Sequence, residues 1–109
     1  MTTLLVITNM PDATSAEAMA RHLVDVRVAA CVNVLAPCRS FYRWQGAIET
    51  ADETPVLIKT TTERYSDLEA AIRSRHPYEL PEIIAVPVTA GLPGDLAWVA
   101  DETRPPATA

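Results

Sequence analysis

An order of segments, strand–helix–strand, occurs twice along the chain and limits its possible folds more than any other feature. Short apolar runs predict the strands. Apolar residues at i, i+4 and i+7, such as Met19, Leu23 and Val26, predict helices. Two such crossover units joined by a hairpin give the split, ferredoxin-like α+β sandwich. We therefore expect one sheet with two helices on a single face and an extra C-terminal helix. The predicted strands are 4–7, 28–44, 56–60 and 83–88.

Two capping boxes mark where the main helices are expected to begin. Thr14 and Glu17 form the first box, and Ser66 and Glu69 form the second. His22 flanks the apolar stripe of the first helix, so we expect it on the helix surface at the edge of the core.

The extended segment 28–44 is too long to run straight through one compact domain. Its seventeen residues would span about 56 Å at 3.3 Å per residue, whereas a domain of this size is roughly 34 Å across. The segment must bend at Pro37 or run out as a long β-hairpin. A protruding hairpin would expose Phe41, Tyr42 and Trp44, and open apolar edges favour pairing with another chain. We expect a homo-oligomer joined by strand pairing; a hairpin folded back on its own sheet is the alternative.

Charge and length exclude several classes of partner. The net charge of −5 and the pI near 4.9 argue against nucleic acid. The N-terminus has no cationic start and an apolar run of only four residues, so we expect no signal peptide, no membrane partner and a cytoplasmic location. We expect one domain over 1–101 and a flexible tail over 102–109.

Cys31 and Cys38 are the two cysteines of the chain. Seven strand steps would separate them by roughly 23 Å, and a disulfide needs α-carbons within about 7 Å. Their spacing fits no common zinc knuckle. We expect buried free thiols.

Residues 75–82, Arg-His-Pro-Tyr-Glu-Leu-Pro-Glu, form a stiff polar corner after the second predicted helix. Pro77 and Pro81 bias the residues before them away from the helical region. Imidazole nitrogen and carboxylate oxygen suit copper(II), so His76 with Glu79 or Glu82 is a candidate metal site. The same side chains suit a structural joint between helix and strand.

Several segments together resemble the CutA divalent-cation tolerance family over essentially residues 3–100. The most specific are Tyr-Arg-Trp-Gln-Gly at 42–46 and His-Pro-Tyr-Glu at 76–79, followed by Pro-Glu-Ile-Ile at 81–84. The other matching segments are Ala-Ala-Cys-Val-Asn at 29–33, Ile-Lys-Thr-Thr at 58–61 and Pro-Val-Thr at 87–89.

The resemblance implies a homotrimer of ferredoxin-like subunits, similar in architecture to the PII signalling proteins. The long hairpins, including Phe41, Tyr42 and Trp44, would complete sheets between neighbours. It also implies a role in tolerance of copper and other divalent metals. It implies no reaction, so we assign no catalytic residue and expect no enzyme and no required cofactor.

The metal ligands proposed in the family carry over only in part. The histidine of the His-Pro-Tyr motif is His76, whereas Arg75 stands where a second histidine is expected and Thr8 where a cysteine is expected. We therefore expect weak binding of copper(II) or another divalent cation at His76 and Glu79. The alternative is that His76 and its neighbours only pin the corner.

Two other functions remain open from the sequence. By analogy with PII, clefts between subunits lined by Arg43, Lys59 and the acidic loop with Asp52 and Glu53 would bind a small polar ligand. No glycine-rich phosphate loop is present. A rigid trimeric platform for a protein partner is the other.

Overall fold

The computed structural model describes residues 1–106, which form the expected α+β domain with three helices. These residues contain five strands and not the four predicted, because the segment 28–44 contains two strands. The strands are β1 (Thr3–Met10), β2 (Cys31–Val34), β3 (Cys38–Trp44), β4 (Ala47–Thr61) and β5 (Ile83–Pro87). The helices are α1 (Ala13–Asp25), α2 (Tyr65–Arg75) and α3 (Pro93–Glu102).

All strand pairings are antiparallel, and the order in the sheet is β2-β4-β1-β5. β1 lies inside this sheet, so that Val6 pairs with Ile58 on one side and Ala85 on the other. β4 is 15 residues long, and its first half extends beyond the sheet to pair with β3.

The hydrophobic core lies between one face of the sheet and helices α1 and α2. Strand side chains alternate between the two faces, and on the core side Val6 and Ile58 are fully buried against Leu23 of α1 and Leu68 and Ile72 of α2. Burial of each such side chain contributes roughly 1.5–3 kcal/mol. The opposite face carries apolar side chains that are half-buried or exposed: Leu5, Ile7, Leu57, Ile84 and Val86.

The long extended segment both bends and forms a hairpin. Its strand pairing stops at Val34 and resumes at Cys38. Between these positions the three residues 35–37 lie opposite only two residues of β4, 54 and 55, which makes a bulge. Beyond this bulge β3 and β4 form a protruding arm, and the longest dimension of the molecule is 46 Å. The arm closes through Gln45 and Gly46, whose φ angles of 49° and 83° match the positive φ values that a two-residue hairpin turn requires.

Both predicted capping boxes are wrong. α1 is capped by Asp12, whose Oδ1 accepts a hydrogen bond of 2.7 Å from the backbone N–H of Ser15. α2 begins one residue before Ser66 and has no side-chain cap, since Glu69 accepts instead from the Tyr65 hydroxyl at 3.1 Å. In both cases the helix starts earlier than the capping-box spacing indicated.

The cysteines are free, as expected, but the prediction that they are buried is wrong. Cys31 is half-buried on β2, and Cys38 is exposed at the start of the arm. The bend before β3 carries Cys38 out of the sheet that the helices cover.

Two residues that we expected to begin a flexible tail belong to the end of α3. Glu102 is its last residue, and Thr103 is buried with its hydroxyl donating to the Val99 carbonyl at 2.7 Å. Residues 107–109 of the predicted tail lie outside the described residues. Within 1–106, no helix has the length and apolar content needed to cross a membrane.

Candidate functional site

The proline corner connects α2 to β5 and lies beside the end of β1. His76 directly follows α2 with φ −79° and ψ 131°, the extended conformation that a following proline favours. The extended backbone at His76 therefore ends the helical conformation, and the chain leaves the axis of α2 at this point.

The imidazole of His76 ties this corner to β1. Its Nε2 lies 2.8 Å from the carbonyl oxygen of Asn9, and its Nδ1 lies 3.2 Å from the backbone nitrogen of Tyr78. Because a carbonyl can only accept, Nε2 carries the proton and Nδ1 accepts from the Tyr78 N–H. The ring also contacts the Tyr78 ring, with 4.8 Å between centroids.

A second tie joins the same two elements. The side-chain amide of Asn9 donates to Glu82 Oε2 at 3.2 Å. Asn9 thus holds the corner twice, through its carbonyl and through its amide, at positions six residues apart in the corner.

A cleft of about 890 Å³ lies between the corner and the arm. Residues paired across two antiparallel strands share a face, so Ser40, Tyr42 and Trp44 project on the same side of the arm as Ala51 and Glu53. We call this side the cleft face, and the opposite side, with Phe41 and Ile48, the outer face. Phe41 nevertheless contributes to the cleft lining, whereas Ile48 does not. The corner contributes the other wall, residues 77–82.

The cleft is aromatic and acidic. Glu53 on the arm and Glu79 and Glu82 on the corner line it, and its described lining residues include no arginine, lysine or histidine. Burial raises the pKa of Tyr78 to about 12, and the nearby Glu53 carboxylate adds to the rise. Tyr78 is therefore a neutral phenol throughout the physiological pH range.

The two residues of the predicted metal site differ in their surroundings. Glu79 is exposed and lines the cleft, whereas His76 is half-buried and does not line it. Both ring nitrogens of His76 are engaged by the backbone, so a metal would have to displace one of these hydrogen bonds. Within residues 1–106 no group of three His, Cys, Asp or Glu side chains is arranged to hold a metal ion.

The other residues considered for a metal or ligand site are Thr8, Arg43 and Lys59, and the single chain does not bring them together. Thr8 is fully buried in β1, and its hydroxyl has no partner among the described residues. Arg43 pairs with Ile48 on the outer face, whereas Lys59 pairs with Leu5 in the main sheet. Neither Arg43 nor Lys59 lines the cleft.

Sequence reasoning missed the cleft face as a wall of a cavity. We treated the aromatic residues of the arm only as an oligomer surface and assigned the acidic loop of Glu53 to a cleft between subunits. The signal was present, because a two-residue turn at Gln45 and Gly46 fixes the register of the arm. Alternation then places Glu53 on the side of Tyr42.

Comparison with known proteins gives close matches over nearly the whole chain. The family model described as CutA1 divalent ion tolerance protein matches residues 4–102. The Divalent-cation tolerance protein CutA of Thermus thermophilus is 37% identical over 99 residues, covering 91% of this chain and 96% of the relative.

Solved structures show the same fold. A crystal structure of CutA from Xylella fastidiosa is 43% identical and superposes with a TM-score of 0.92, covering 95% of this chain and all of the other. The structure of the periplasmic divalent cation tolerance protein CutA from Archaeoglobus fulgidus is 31% identical with a TM-score of 0.90, covering 94% and 99%.

Proposed function

The chain belongs to the CutA1 divalent ion tolerance family, and from this premise we propose that it contributes to tolerance of divalent cations as a homotrimer of ferredoxin-like, PII-like subunits. The match of the family model to residues 4–102 carries this proposal and confirms the resemblance found in the sequence. The family is named for tolerance and not for a reaction, and we propose that the protein is not an enzyme. We also propose a cytoplasmic location, although the Archaeoglobus fulgidus relative is described as periplasmic.

Three features of the subunit support assembly. The arm extends beyond the core, and within the described residues the outer edge of β3 has no strand partner. Phe41 and Ile48 on the outer face are each 70% exposed. The sheet face opposite α1 and α2 carries further apolar side chains. Unpaired edges and large apolar patches favour association, and we propose that the arms, including Phe41, Tyr42 and Trp44, complete sheets between neighbours.

Metal binding at the corner is weak in this proposal. The exposed Glu79 offers carboxylate oxygen, whereas His76 can ligate copper(II) or another divalent cation only by giving up one backbone hydrogen bond. That loss lowers the net affinity, because a buried group left without its partner costs about 1–3 kcal/mol. We therefore propose that the main role of the imidazole is to hold the backbone of the corner, and that metal binding is secondary.

Equilibrium dialysis with copper(II) tests the metal role. Wild type, His76→Ala and Glu79→Gln are compared, with Glu63→Gln as the control because Glu63 is an exposed carboxylate outside the cleft. We expect dissociation constants weaker than the micromolar range and reduced uptake by His76→Ala and Glu79→Gln only. Equal uptake by wild type and His76→Ala would remove His76 as a ligand. Circular dichroism checks that the variants fold.

The cleft favours a second candidate function, that of a module which binds a small ligand. A concave, partly apolar cavity with a few convergent polar groups is the usual form of a ligand site. The chemistry of its lining decides which ligand fits.

A further inference from the structure

We propose that the cleft binds a small organic cation, an alkylated ammonium ion, between the Tyr42 and Trp44 rings of the arm and the glutamates of the corner. This site shares Glu79 with the proposed metal site but not His76, which lies outside the cleft lining. It specifies the ligand class for the small-ligand module and rests on that second candidate function.

The charge of the cleft selects the sign of the ligand. Its three lining carboxylates come from both walls, Glu53 from the arm and Glu79 and Glu82 from the corner. The lining residues include no cationic side chain that would neutralise them. An anion such as a nucleotide would meet only repulsion there, whereas a cation would gain from all three carboxylates.

The aromatic residues select an organic cation. Tyr42 and Trp44 are two residues apart on one face of β3, a separation of about 7 Å. A cation between them lies within about 6 Å of both rings, the range of cation–π attraction. Within one subunit Tyr42 is 44% exposed and Trp44 is 37% exposed, so each side chain has surface to offer a ligand in the cleft. Alkylated ammonium ions are the ligands that aromatic side chains surround in this way.

A bare metal ion fits the same cleft poorly. Divalent cations need several oxygen ligands at about 2.0–2.6 Å, and the described carboxylates form no such group. Glu82 is also engaged by the Asn9 amide. An alkylated ammonium ion needs no direct coordination, because its charge is spread over a surface that can contact rings and carboxylates together.

The corner wall is fixed before any ligand arrives. His76 and Glu82 each bind Asn9 of β1, and two prolines stiffen the backbone between them. Neutral Tyr78, with its raised pKa, adds a third ring without adding charge. A wall of this kind loses little conformational entropy on binding, which favours affinity for a small ligand.

Choline is a suitable probe, and 3,3-dimethylbutanol is its neutral counterpart of the same shape. Both are titrated into the full-length ¹⁵N-labelled protein at constant ionic strength while the two tryptophan indole N–H resonances are followed. Trp44 lines the cleft, whereas Trp98 is exposed on α3 and serves as the internal control. We expect a saturable shift of Trp44 with choline, no comparable shift of Trp98, and binding of the neutral alcohol at least about tenfold weaker.

Two matched pairs of variants locate the site. Glu53→Gln is expected to weaken choline binding about fivefold or more, whereas Glu63→Gln leaves it unchanged. Tyr42→Leu on the cleft face is expected to weaken it similarly, whereas Ile48→Ala on the outer face does not, because Ile48 is outside the cleft lining. The Trp98 resonance and the dispersion of the amide spectrum show whether each variant is folded.

Three results would overturn the proposal: equal affinity for choline and the alcohol, no shift of Trp44 up to about 100 mM choline, or unchanged binding by both Glu53→Gln and Tyr42→Leu. A neighbouring copy of the chain that fills the cleft would give one of the last two results. Copper uptake in the dialysis experiment is independent of all three, so either role can fail alone.

Discussion

The two halves of β4 contrast more than any other regions of the molecule. Residues 54–61 lie in the main sheet between β1 and β2, and Val56 and Ile58 are fully buried under the helices. Residues 47–53 pair only with β3, and Ile48 is 70% exposed. One strand thus supplies both the centre of the core and one side of an open arm.

The contrast shows that strand propensity and burial are separate properties. Both halves are extended and fully paired on at least one edge, yet only one half is covered by helices. The covered half stabilises the subunit. The open half leaves its outer face exposed and turns its other face toward the cleft.

Truncation of Ile58 is expected to have the largest effect. Ile58→Ala should lower the free energy of unfolding by about 2–5 kcal/mol, because it leaves a cavity in a close-packed core. The same truncation at Ile48 should change subunit unfolding little and instead favour dissociation of the assembly on dilution. Urea denaturation at one fixed protein concentration, with sedimentation at several concentrations, separates the two effects. Equal unfolding costs for Ile48→Ala and Ile58→Ala would remove the distinction between the halves.

Substitution in the arm's turn should have a smaller, local effect. Gly46 has a φ of 83°, and a side chain there costs roughly 1–2 kcal/mol. Gly46→Ala should therefore increase amide hydrogen exchange in β3 and residues 47–53 of β4, while residues 54–61 keep their protection. Gly94→Ala is the matched control, because a methyl group at Gly94 meets nothing within 4 Å and its φ is not positive. Faster exchange in the main sheet of Gly46→Ala would show that the arm is not an independent unit.

Removal of the Asp12 charge should have the smallest effect, confined to the start of α1. The Ser15 backbone N–H lowers the pKa of Asp12 below its ordinary value. Because the pKa is lower in the folded state, the ionised carboxylate stabilises the protein at pH values above the unfolded-state pKa. This stabilisation is lost as the pH falls through the folded-state pKa. Asp12→Ser keeps a cap without the charge. The wild type should melt higher than this variant at about pH 6, and the gap should narrow as the pH falls below the ordinary aspartate pKa; a gap that is independent of pH would contradict this role.

Most of the fold could be predicted from the sequence because its signals are local. The apolar stripe of α1 at Met19 and Leu23 and the apolar runs of β1 and β5 were each visible in a short window. The exact helix starts were not: Asp12 and Thr14 are both plausible caps of α1, and only the backbone conformation decides which one is used. The burial of the cysteines was wrong for a similar reason, since the bend before Cys38 depends on tertiary pairing.

The candidate site was predicted only in part. The sequence marked His76 and the prolines, but it could not show that both imidazole nitrogens bind backbone groups, one of them 67 positions away in Asn9. Proximity of the arm to the corner is likewise a tertiary fact. It brings Glu53 close to Tyr78, and no sequence pattern predicts that these two residues are neighbours.

Sedimentation of the wild-type protein tests most directly whether the arm serves a neighbour and not its own subunit. The chain has a mass of 11.9 kDa, so a homotrimer sediments as a single species of about 36 kDa, three times that value. We expect this mass at micromolar concentration, and a shift toward smaller species when Phe41→Glu places a charge on the outer face. A monomer of 11.9 kDa at all concentrations would contradict the account.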